Sequence, residues 1–156
     1  MRILGILIFA AVSACLLYDY TRSQRARMAE YEVLSALFCD IERRVAEGGR
    51  ALSEAIRSFD FPKYKREELK EALLSADLNA LHSQLTESDD ADLSLLSDFF
   101  SESSAPSVDE ELKRIRKFAS HFKERYCTVK REYPDRARVA LILYSTAVVF
   151  AFFLLI

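Results

Sequence analysis

The sequence predicts an all-α chain, a helical bundle or antiparallel coiled-coil hairpin held between an N-terminal and a C-terminal transmembrane helix. Three observations predict it. Ile3 to Tyr18 and Val139 to Ile156 contain no Asp, Glu, Lys or Arg, so every charge except Arg2 falls between them. Between those runs apolar residues recur at alternating spacings of three and four, the helical period. No segment sustains the period-two alternation of a half-buried strand. The 22 basic and 24 acidic side chains and the 51% hydrophobic share average over two unlike phases, one apolar and one charged.

At the N-terminus, residues 3–20 form a transmembrane anchor. The uncharged run is short for a span, but Arg2 can snorkel at one end while Tyr18 and Tyr20 sit at the interface at the other. A second fate stays open. Val12-Ser13-Ala14-Cys15 after an apolar core is also the pattern of a lipoprotein signal, which would make Cys15 an acylated first residue. Against that, Leu16-Leu17-Tyr18 continues the apolar run where a polar tether is usual. At the other end, residues 139–156 reach roughly 27 Å as a helix, close to the ~30 Å hydrocarbon thickness of a bilayer.

Between them lies a helical domain, residues 21–138. Its first long helix, 27–48, carries Tyr31, Leu34, Phe38, Ile41 and Val45 and stops at Gly48-Gly49. Its last, 107–133, opens on the capping box Ser107-Val108-Asp109-Glu110 and carries Leu112, Ile115, Ala119, Phe122, Tyr126, Val129 and Tyr133. Both abut a span on the same face, so they should run antiparallel as a stalk; the stripes meet each other, face a common core, or combine both. Short helices fill 51–100: Ala51 to Phe59, ended by Pro62; Lys65 to Ser75; Leu78 to Leu85; and Asp92 to Phe100. Ser101 to Ser107, with Pro106, reads as a loop.

Charge orients this layout. Nine Lys and Arg flank the spans from the inner side (Arg22, Arg25 and Arg27; Lys123, Arg125, Lys130, Arg131, Arg136 and Arg138), against Arg2 outside, which places the middle in the cytoplasm. Reduced cytosolic thiols fit the odd count of three cysteines, with Cys39 and Cys127 read as small buried hydrophobes. From Glu71 to Leu112 carboxylates recur without one Lys or Arg. Some cap helices; the remainder suggests a surface for a basic partner and excludes nucleic acid.

Chemistry-bearing constellations are sparse. His82 and His121 stand alone, with His82 within reach of Asp77 or Ser83, and no triad, phosphate loop, metal-ligand set or cofactor motif occurs. The site candidates are therefore for contact. Leu93, Leu96, Phe99 and Phe100 put more apolar bulk on a short helix than one narrow face can bury. With Asp89, Asp90 and Asp92 around them they read either as core or as a docking patch with a charged rim. The seams could also pair between copies in a homo-oligomer.

The chain resembles the stage III sporulation protein AB family of spore-forming bacteria. The likeness lies in the short N-terminal span and the Arg-containing stretch after it, in Leu34-Ser35-Ala36-Leu37-Phe38 leading to Val45-Ala46-Glu47-Gly48, and in Ala51-Leu52-Ser53-Glu54-Ala55. It also lies in the charged helix running into Val148-Val149-Phe150-Ala151-Phe152-Phe153-Leu154-Leu155-Ile156. The family's soluble part is similar to the cytoplasmic domain of type II secretion F platform proteins. The resemblance implies a cell-membrane, non-enzymatic platform subunit on the mother cell side of a secretion-like channel into the forespore, contacting a secretion-type ATPase or other channel subunits. A membrane-tethered coiled-coil scaffold unrelated to secretion is the alternative.

Overall fold

The computed structural model describes residues 2–48, 52–61, 66–101 and 107–155. Among them there are six helices and no strand: α1 (Arg2–Gly48), α2 (Leu52–Ser58), α3 (Arg66–Ser75), α4 (Leu78–Gln84), α5 (Asp90–Ser101) and α6 (Val108–Leu155). The expected short helices recur within two residues of their anticipated ends, the usual fraying margin. The expected stops at Gly49, Pro62 and Pro106 and starts at Ala51 and Lys65 lie outside the described residues.

The chain divides into two compact units. One comprises Arg27–Cys127, the other Met1–Ala26 with Thr128–Ile156. Both long helices contribute to both units. Pro134 lies inside α6; it removes one backbone donor, and the helix continues past it.

The 27–127 unit is a bundle. The α1 seam residues Tyr31, Leu34, Phe38, Ile41 and Val45 are buried, and so are Ile115, Ala119 and Phe122 of α6. Cross-helix contacts fix the antiparallel sense, since Glu42 pairs with Arg116, Phe38 meets Phe118 and Phe122, and Tyr31 faces Arg125. The seams meet each other and share a core with the short helices. Phe38 lies 5.1 Å from Phe122 and 5.1 Å from Phe99 of α5, centroid to centroid. Leu69 and Leu73 of α3, Leu81 of α4 and Leu93 and Leu96 of α5 complete the interior. Burial of such a stripe, more than intrinsic propensity, is what holds short helices like α4 in place.

Local chemistry sets the element starts. Ser107 Oγ accepts from Glu110 N at 3.2 Å at the head of α6, the anticipated cap. Asp77 Oδ1 accepts from Asn79 N at 2.9 Å at the head of α4, one of the carboxylates whose role is capping. Between α3 and α4 the chain turns through Ala76 at φ 52, and Ser97 Oγ donates to its carbonyl at 2.8 Å. Cys39 and Cys127 correct the expectation, for both are exposed. Each follows a seam residue by one position, which rotates it about 100° round the helix and off the buried face.

In the other unit, α6 is the one helix among the described residues long and apolar enough to cross a membrane, and none of its apolar stretch is buried. Leu7, Ile8, Val12 and Leu16 of α1 are exposed as well. The side chains of Ile3, Leu4 and Ile6 lie outside the described set.

Truncating Phe38 removes the ring that touches Phe99, Phe118 and Phe122 together. Phe38→Ala is expected to cost about 3–5 kcal/mol, whereas Phe153→Ala, at a residue 75% exposed, stays within about 0.5 kcal/mol. Unfolding of the full chain in detergent, followed by circular dichroism, measures both.

Candidate functional site

The polar side chains of the 27–127 unit converge at the turn that opens α5. Asp92, in the first turn of that helix, is 4% exposed. Tyr31 of α1 donates its hydroxyl to Asp92 Oδ2 at 2.5 Å, His121 Nε2 of α6 lies 2.8 Å from Oδ1, and Arg125 Nε donates to Oδ2 at 2.9 Å. His121 and Arg125 are four apart on one helix, so they reach the same carboxylate side by side. Asp89 sits next to it. Arg27 Nη2 donates to both of its oxygens at 2.8 and 2.9 Å, and Arg125 Nη2 also bonds it.

Backbone groups are tied into the same node. Asp89 N donates to the Tyr31 hydroxyl at 3.2 Å, while Glu30 Oε2 accepts from Glu87 N at 3.1 Å and from Ser88 Oγ at 3.0 Å. The guanidiniums of Arg27 and Arg125 lie 5.9 and 5.6 Å from the centre of the Tyr31 ring, within cation–π range. One constellation thus fixes the start of α5 to both α1 and α6.

Its electrostatics follow from donors outnumbering the desolvation cost. Burial pushes the Asp92 carboxyl up, but hydrogen bonds from Tyr31, His121 and Arg125 outweigh it and hold the group below its ordinary 3.8. Burial is also the main reason that Tyr31 is raised above 10.0; Asp92 and Asp89 add to it, and the Asp89 N–H opposes it. For Arg125, burial opposes the charge, and Asp92 more than restores it. The node is a charged lock in which each Asp92 oxygen is paired, while Arg27 engages Asp89 through Nη2 and its buried Nε has no partner among the described residues. Among the described residues no group of three or more His, Cys, Asp or Glu is placed to hold a metal ion.

The structure separates the anticipated docking residues. Leu93, Leu96 and Phe99 are fully buried, so they form core and cannot be the centre of an exposed patch. The physical reason is that α5 lies between elements, with the Phe99 ring 4.5 Å from Phe118 and under the Arg114 guanidinium at 4.6 Å. Phe100 is half-buried, 4.9 Å from Phe99 and 6.1 Å from Phe38. Asp92 faces inward to the node, and Asp89 is paired there while staying part-exposed; Asp90 is exposed, 3.0 Å from His82, which pairs with it. His121, read as an isolated surface histidine, is corrected to a partner of Asp92. What the acidic stretch does present is Glu71, Asp77, Asp90, Asp98, Asp109 and Glu110, whose side chains reach solvent.

Arg27, Glu30, Tyr31 and Arg125 were not singled out as site residues by the sequence. The available signals were short: Arg27 and Tyr31 four apart on one helix, and His121 and Arg125 four apart on another. No protein-family model, curated protein or solved structure matches the chain.

Removing the charge of Asp92 leaves Arg125 and His121 facing an amide. Asp92→Asn is expected to cost about 3–5 kcal/mol at neutral pH. The sign of the pH effect follows from the depressed carboxyl. Its contribution is fully present above the unfolded value near 3.8 and is lost as pH falls through the lower folded value. Denaturant titrations from pH 7 down to acid should show the native chain losing stability below pH ~4, with that part of the slope missing in Asp92→Asn.

Proposed function

We propose that this chain is a membrane-anchored, non-enzymatic platform subunit. Residues 3–20 and 139–156 each span the bilayer, and the helical unit between them stands on the cytoplasmic face. The observation that carries the reading is the apolar stretch of α6, none of which is buried among the described residues. Water-exposed apolar surface on that scale is strongly unfavourable, and lipid removes the penalty. The N-terminal run, also uncharged and largely exposed where described, is the matching second span. The excess of Lys and Arg on the inner flanks supports the orientation.

The task follows from what the helical unit offers to its surroundings. A rigid bundle with an acidic surface and interior polar groups devoted to holding its helices suits a scaffold that presents charge to a basic partner. Asp90 and Asp98 on α5 are the solvent-facing carboxylates nearest its locked start and middle. The resemblance to the stage III sporulation protein AB family supplies the setting, a secretion-like channel between mother cell and forespore, and the partner class, a secretion-type ATPase or neighbouring channel subunits.

Photo-crosslinking amino acids at Asp90 and Asp98 in the full chain, expressed in sporulating cells, test this assignment. Cross-links to the channel ATPase or another channel subunit are expected, weakened about fivefold when Glu71 and Asp77 are both changed to Lys, as for the loss of steering charge. With the chain present in the membrane fraction, silence toward every channel component discards the channel assignment.

A further inference from the structure

Within the unit formed by Met1–Ala26 and Thr128–Ile156, α1 and α6 leave a groove of about 530 Å³ between them. Leu16 and Leu17 form one wall, and Val139, Ala140 and Leu143 form the other. Tyr20, Asp135 and Arg136 line one end, next to the point where Arg25 Nε donates to Tyr133 Oη at 2.8 Å, and Ser13 and Tyr144 line the other; the charged groups are at the first. The volume falls within the roughly 300–1,000 Å³ typical of ligand sites.

We propose that this groove holds an acyl chain of one anionic phospholipid, with its headgroup against Arg136. The proposal rests on the membrane reading above. Charge selects the headgroup: Arg22, Arg25, Lys130, Arg131, Arg136 and Arg138 face only Asp19, Glu132 and Asp135 in the described part of this unit. Glu132 Oε2 takes Arg136 Nη2 at 2.6 Å, which engages one nitrogen of a guanidinium that carries five N–H donors. Asp135 disfavours an anion at the groove end, and the surrounding cations outnumber it.

The chain contains no Trp, so one introduced indole is a clean reporter. Leu143→Trp lines the open groove, at a residue 65% exposed. Ile142→Trp, similarly exposed but outside the lining, sits at nearly the same depth about 100° round the helix. The full-length variants are placed in phosphatidylcholine vesicles carrying either brominated phosphatidylglycerol or brominated phosphatidylcholine. The indole of Leu143→Trp should be quenched with about fivefold higher apparent affinity by the anionic lipid, the size expected for one Arg close to a headgroup. The indole of Ile142→Trp should show no preference, and adding Arg136→Gln to Leu143→Trp should abolish the preference there. Equal quenching of the groove indole by both lipids overturns the proposal and leaves the membrane reading standing. Protection of the groove indole from both lipids, with Ile142→Trp quenched, overturns it in favour of a protein helix in the groove. An Ile142→Trp indole that neither lipid quenches overturns the proposal and the membrane reading together.

Discussion

No residue in the apolar stretch at the end of α6 is buried. A helix satisfies its backbone internally, so such a stretch is at ease in hydrocarbon and poorly placed in water. The core-forming residues of the 27–127 unit are committed elsewhere, around Phe38 and the α5 face. The distribution of charge follows the same division. Asp, Glu, Lys and Arg are confined to the residues between the apolar runs, apart from Arg2, and their cost would be several kcal/mol each near the middle of a bilayer, about 2.5–3.5 by insertion scales.

The 27–127 unit solves a different problem. Its short helices cannot persist alone, and the ring stack at Phe38 gives them a common apolar seat. Apolar packing tolerates sliding more than charge does. The node at Asp92 and Asp89 supplies directional contacts, because each carboxylate must meet particular donors from α1 and α6. A lock of this kind adds registry at a desolvation cost that is met only when every partner is present. The start of α5 is thereby held in one place, and Asp90 with it.

Much of the fold was legible because its determinants are local. The three-and-four spacing of Tyr31, Leu34, Phe38 and Ile41 predicted their buried face, and Ser107 with Glu110 predicted the head of α6. The node was not legible, because Arg27 and Asp89 lie 62 positions apart and Tyr31 and Asp92 lie 61 apart. In sequence, Arg, Asp and Glu on helices read as solvated surface, and only the fold turns them inward. The same gap explains α5. Four apolar residues were too many for a narrow face, yet elements on more than one side of α5 bury three of them. The exposed Cys39 and Cys127 show how steeply burial changes one position off a seam.

The two exposed cysteines of the helical unit make the most direct test of the central claim that this unit is held at the inner face of a membrane. A membrane-impermeant maleimide is added to intact cells and, separately, to permeabilised cells, and labelling of Cys39 and Cys127 in the full chain is read by mass. The account predicts labelling of both only after permeabilisation. Labelling of Cys127 in intact cells would contradict it.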